Sequence, residues 1–183
     1  MDLYSYINIG MWLGWFTYWA IAARSATRGT SSERRSSRLI QLAAVVVSVS
    51  LLGARLVHVG LPGGPWVDLV GNVVTVLGLA FAIWARRHLG ANWSGRVELK
   101  EGHRVVRSGP YAIVRHPIYT GILVAIVGSA IIAREVTAFG AVLVMLAAFL
   151  RKIRMEETVL LGAFGTAYEK YRCEVKALVP FVV

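Results

Sequence analysis

The sequence predicts an all-α integral membrane protein with about five transmembrane helices, and three observations support that fold class. Hydrophobic residues fill 56% of the 183 positions and charged residues only 16%, more apolar surface than a soluble domain of this length can hide in one core. The apolar residues gather into runs close to the roughly 20 residues an α-helix needs to cross a bilayer. Lysine and arginine give a net charge of +10, but they collect at the ends of the apolar runs instead of along one basic face. They read as signals of membrane topology, and no nucleic-acid partner is expected. The one cysteine, Cys173, excludes an internal disulfide and gives no support to a thiolate metal site; no metal is expected. Residues 1–183 read as a single membrane domain, with three spans in 1–88 and two more in 89–183.

The first span, residues 3–23, lacks a basic stretch before it and a clear small-residue cleavage site after it, so it reads as a retained helix and not a signal peptide. Gly10 and Gly14 stand at GxxxG spacing, which permits close helix approach, but glycine is common in membrane helices and no function is assigned. Arg24, Arg28, Arg34, Arg35 and Arg38 oppose the single acid Glu33, which makes residues 24–38 a cytoplasmic loop and puts the N-terminus outside. The second span, about 39–60, holds Arg55 and His58 near its outer end. Ionisable groups at that depth are functional suspects. The turn LPGGP at residues 61–65, however, folds the third span back so that Asp68 approaches Arg55, and an ion pair between them leaves no unmatched charge in a poorly hydrated place. The third span, about 66–85, ends in Arg86, Arg87 and His88, again a cytoplasmic signature.

Residues 89–115 are polar and mixed, with turn points at Asn92, Gly95, Gly102 and Gly109 and short extended stretches around Val97, Leu99, Val105 and Val106. They read as a cytoplasmic loop with a small hairpin, folded onto the membrane face. Pro117 lacks an N–H and suits a first helical turn, so the fourth span, 117–133, begins at or beside His116. The free N–H groups at that start, beside Arg115 and His116, form a place where carboxylates and phosphates bind well; the plainer reading is a cationic cap reaching for lipid headgroups. Arg134 and Glu135 make a turn, and the fifth span, 136–153, returns the chain to the cytoplasm. After Arg151, Lys152 and Arg154 come Glu156 and Glu157, then Leu160, Leu161, Phe164, Tyr168 and Tyr171 at helical spacing, an amphipathic helix. If the fifth helix ends near Met155, both carboxylates sit at its negative end and need a cation. Pairing of Lys152 with Glu156 and Arg154 with Glu157 supplies one; a bound ligand is the alternative.

The segments GHRVVRSGPYAIVRHPIYTG (102–121) and RMEETVLLGAFGTAYEKYRCEVKALVP (154–180), joined by an apolar hairpin, resemble the C-terminal half of the isoprenylcysteine carboxyl methyltransferase family and its phospholipid methyltransferase relatives. The matching elements are His103, the GPY turn, RHP with Tyr119 and Gly121, the Glu156–Glu157 pair with Leu160, Phe164 with Gly165, Tyr168 with Tyr171, and Pro180. The first three spans match only in general character. The resemblance implies a membrane-embedded enzyme that takes S-adenosylmethionine from the cytosol. It implies that His103, Tyr111, Arg115, His116, Tyr119, Gly121, Glu156 and Glu157 line the cofactor pocket. It also implies that Arg154, Glu157 and Arg115 serve the chemistry, with Arg154 orienting an acceptor carboxylate and Glu157 acting as base if the acceptor is an amine. The apolar lining of such a site predicts an acceptor that is lipidic or lipidated and enters from the bilayer. Carboxyl O-methylation, phospholipid N-methylation, an NADPH-dependent reductase related to membrane sterol reductases and a non-catalytic relative are the readings to separate; no GxGxxG supports a Rossmann-type nucleotide domain.

Overall fold

A computed structural model of the chain describes residues 2–24, 30–31, 35–53, 60–90, 98–99 and 105–180. Helices α1 (Leu3–Arg24), α2 (Arg35–Gly53), α3 (Pro65–Leu89), α4 (Pro117–Ala133), α5 (Val136–Phe164) and α6 (Thr166–Glu174) carry the fold. A 3₁₀ turn at Gly109–Ala112 precedes α4. Three of the helices, α2 over Ser36–Gly53, α3 and α5, are long and apolar enough to cross a membrane, and α4 is a shorter apolar helix. With 22 residues α1 has the length, but its tyrosines and tryptophans have polar tips that lower its hydropathy.

Helix α4 packs between α3 and α5 and also touches α1 and α2. Its contact with α3 is made backbone to backbone. A Cβ on Gly78 of α3 would lie 2.5 Å from both the Gly121 carbonyl and the Ala125 nitrogen of α4, and one on Gly128 would lie 2.5 Å from the Gly71 carbonyl. Gly71 and Gly78, like Gly121 and Gly128, are two turns apart, so each pair lines one stripe. The GxxxG pair in α1 does nothing comparable: a Cβ on Gly10 or Gly14 would meet nothing within 4 Å. What ties α1 to α3 and α4 is a buried polar cluster. Asn8 Nδ2 donates to Thr75 Oγ1 at 3.0 Å, Ser129 Oγ donates to Asn8 Oδ1 at 3.0 Å, and Trp12 Nε1 donates to Ser129 Oγ at 2.9 Å. On the other side, Ala44 of α2 joins Ala141, Met145 and Phe149 of α5 and Ile126 of α4 in the core.

Several expectations change at this point. Asp68, 2% exposed, is engaged by Arg134 in the α4–α5 turn: Nε donates to Oδ1 at 2.9 Å and Nη2 to Oδ2. The turn that brings α3 back thus delivers Asp68 to the next hairpin, not to Arg55; Arg55 and His58 lie outside the described residues. In the loop after α3, Leu99 pairs with Thr30 and Glu98 with Ser31, which joins these residues to the loop after α1; residues 91–97 and 100–104, where the small hairpin was expected, lie outside the described residues. Finally, α5 does not end near Met155. It continues through good helix formers to Phe164 and stops at Gly165, whose φ of 51° suits glycine. The amphipathic segment is therefore the far end of α5, followed by the short α6.

Candidate active site at the start of α4

The site arises from two local features. Pro117 starts α4 with His116 as its N-cap residue, and Thr120 N–H closes the first turn on the His116 carbonyl at 3.1 Å. Opposite it, α5 runs on for 29 residues, about 43 Å at 1.5 Å per residue, longer than a hydrocarbon core of about 30 Å. The polar end of α5 therefore projects past the apolar part, alongside the start of α4. Glu156 and Glu157 sit within a continuous helix and meet their cations across the gap, not at a helix terminus.

The cluster is dense. His116 faces one carboxylate with each ring nitrogen: Nε2 lies 3.3 Å from Glu157 Oε1 and Nδ1 lies 3.5 Å from Glu156 Oε2. Tyr119 donates its hydroxyl to Glu156 Oε1 at 2.5 Å. Arg115 donates to Glu157 Oε1 from Nε at 2.9 Å and approaches it with Nη2 at 2.7 Å. The His116, Tyr119 and Phe149 rings form a near-parallel column, with centroid spacings of 5.7 and 4.5 Å. Burial alone lowers the His116 pKa, but hydrogen bonds and charge from Glu156 and Glu157 outweigh it, so the value ends above the ordinary 6.5.

A C-terminal strap closes the cluster. The N–H groups of Arg115 and His116 donate to the Lys176 and Ala177 carbonyls at 2.8 and 3.0 Å, and Thr120 Oγ1 donates to the Leu178 carbonyl at 2.8 Å. Arg115 Nη1 adds bonds to the carbonyls of Arg172, at 3.0 Å, and Val175. Ala177 and Leu178 are buried with Ile153. Tyr171 of α6 donates to the Tyr111 carbonyl at 2.5 Å. Burial, offset by Arg115 and Arg107, leaves its pKa pushed up to about 12, so it stays a neutral donor at physiological pH.

Of the residues singled out in the sequence, Arg115, His116, Tyr119, Glu156 and Glu157 come together. Tyr111 is buried behind them, held through its carbonyl. Gly121 points elsewhere: a Cβ there would lie 2.5 Å from the Gly78 carbonyl and 2.8 Å from the Ala82 nitrogen, so its smallness serves the α3 contact. Arg154 is exposed and is not paired with Glu157, whose oxygen is taken by Arg115 and His116. His103 lies outside the described residues. Sequence reasoning missed Phe149, 3% exposed beneath Tyr119. Its position two turns before Glu156 put it on the same face of α5, and that spacing was the available signal. The strap carbonyls left no signal, because a backbone acceptor has no residue type.

The sequence model of the isoprenylcysteine carboxyl methyltransferase (ICMT) family matches residues 70–162. The chain is 28% identical over 166 residues to protein-S-isoprenylcysteine O-methyltransferase B of Arabidopsis thaliana, across 89% of this chain and 84% of that one. It is 31% identical over 120 residues to the protein-S-isoprenylcysteine O-methyltransferase of Tribolium castaneum, across 64% of this chain and 43% of that one. A solved structure of the eukaryotic intramembrane Ras methyltransferase ICMT is similar with a TM-score of 0.61 at 25% identity, over 82% of this chain. The chain spans 55% of the length of that solved protein. The matched stretch holds most of α3, all of α4 and nearly all of α5, and so includes His116, Tyr119, Glu156 and Glu157. The chain belongs to the isoprenylcysteine carboxyl methyltransferase family.

Proposed function

We propose that this protein methylates the carboxylate of an isoprenylcysteine-like or other lipidated acceptor, using S-adenosylmethionine held between the start of α4 and the far end of α5. The observation that carries this reading is the convergence of Glu156 and Glu157 on His116 and Tyr119 at a helix start. The donor set fits the cofactor: two carboxylates suit its cations, and the start of α4 suits its carboxylate. When bound, S-adenosylmethionine supplies an electrophilic methyl group on a sulfonium.

The chain's own residues hold and orient. Arg115, fastened to Glu157 and to the strap, is a positioning residue that locks the carboxylate pair in place. Tyr119, backed by Phe149, fixes Glu156. Arg154, exposed just ahead of the acid pair, is free to orient an acceptor carboxylate through a bidentate contact. Such a carboxylate is already ionised near pH 7 and needs no base. Attack by an anion on a cation cancels charge in the transition state, so positioning and exclusion of water accelerate it. An amine acceptor would require Glu157 to take a proton, and an oxygen already bonded by Arg115 and His116 is poorly disposed to do so.

The basic clusters support a topology of five spans, α1 to α5, with the N-terminus outside and the site and C-terminus in the cytoplasm. Incubation with radiolabelled cofactor and both a prenylcysteine and an aminophospholipid acceptor tests the reading. A base-labile methyl ester on the prenylcysteine is expected; a base-stable methylamine on the phospholipid would overturn it in favour of N-methylation. Binding of NADPH in place of S-adenosylhomocysteine would replace both with a reductase.

A further inference from the structure

We propose that His116 carries a proton in the cofactor-free protein, as a built-in counter-cation for Glu156 and Glu157, and that a cationic ligand arriving at those carboxylates displaces this proton. The inference rests on the reading that this cluster receives S-adenosylmethionine. Both ring nitrogens of His116 face carboxylate oxygens, at 3.3 and 3.5 Å. Neutral imidazole has one N–H and one lone pair. Whichever tautomer is chosen, a lone pair then faces a carboxylate in a place only 8% exposed, whereas imidazolium turns an N–H to each, hydrogen-bonding Glu157 and pairing its charge with Glu156. The stack on Tyr119 and the His116 N–H bond to the Ala177 carbonyl hold the ring in this orientation.

The surrounding charges agree. Glu156 and Glu157 face the ring from α5, with Lys152 acting on Glu156 from one turn away. Arg115 adjoins it from the turn before α4 and Tyr119 from α4 itself. Tyr168 of α6 lies near Glu157, and Tyr111 of the 3₁₀ turn near Glu156. Arg115 and protonated His116 balance the two carboxylates. A further cation must share those same oxygens, after which the burial of the ring favours its neutral form. By reciprocity, proton loss strengthens cation binding.

Calorimetric titration of S-adenosylmethionine into the full chain in detergent, in phosphate and in Tris near pH 7, reads the proton count directly. The binding heats are expected to differ by the buffers' ionisation heats for release of up to about one proton, with affinity rising by up to about tenfold per pH unit below the folded His116 pKa. His116→Gln is expected to bind with equal heats in both buffers. Equal heats for the wild-type protein would overturn the proposal while leaving the cofactor site in place. Absence of any binding heat in either buffer, together with absence of methyl transfer, would overturn the cofactor reading and this proposal with it.

Discussion

At the residue scale, the site depends on one hydroxyl and one ring. Tyr119→Phe keeps the aromatic column but removes the bond to Glu156. Hydrogen bonds to charged groups contribute about 1.5–3 kcal/mol, so S-adenosylmethionine binding is expected to weaken by about tenfold or more in calorimetry; an unchanged Kd would show that Tyr119 is peripheral. His116 gives a pH prediction of opposite sign for stability. Its folded pKa is raised above 6.5, so its contribution is fully present below pH 6.5 and is lost as pH rises through the folded value. The thermal midpoint of the cofactor-free protein should therefore fall as pH rises above 6.5 and through the raised folded value, and His116→Gln should flatten that fall. Pro117, with its fixed φ and missing N–H, made the start of α4 legible to the residue, and with it the placement of Arg115, His116 and Tyr119. The role of Gly121 was not legible, because a glycine beside a functional motif looks the same whether a ligand or a neighbouring helix needs the space.

At the element scale, the α3–α4 contact and the Arg134 turn bear the structure. Gly78→Ala places a methyl 2.5 Å from backbone atoms of α4 that cannot turn aside. Overpacking of this kind costs about 1–3 kcal/mol, and the thermal midpoint is expected to drop accordingly, while Gly10→Ala, with nothing within 4 Å, leaves it nearly unchanged. Equal effects at the two positions would deny the α3–α4 contact its importance. Arg134→Met strands the buried Asp68 carboxylate, so the single change should destabilise more than the pair Arg134→Met with Asp68→Asn. The 117–133 span was read as it stands in α4, whereas the apolar run alone set the fifth span at 136–153, short of the end of α5 at Phe164. Element neighbours did not follow. A single sequence carries no record of which helix lies beside which, so Asp68 was assigned to the nearest arginine along the chain and the GxxxG spacing drew attention to α1.

At the scale of the whole molecule, the long α5 joins an apolar bundle to a polar site, and the side of the membrane on which that site lies is open to a direct test. Cys173 is exposed on α6, and no other cysteine competes with it. A membrane-impermeant maleimide should label it in inside-out vesicles and not in right-side-out ones; the reverse pattern would invert the topology. The family and the chemistry were legible because two motifs separated by a hairpin both survive in the chain, while the strap over His116 was hidden in backbone carbonyls. On the proposed function, Glu156, brought to the start of α4 by the far end of α5, holds the cations of the methyl donor. Calorimetric affinity of Glu156→Gln for S-adenosylmethionine, beside that of Arg154→Ala, tests it most directly. Loss of a buried charge partner costs about 2 kcal/mol or more, so Glu156→Gln should bind at least about thirtyfold more weakly while Arg154→Ala binds as the wild type does; wild-type affinity in Glu156→Gln would contradict it.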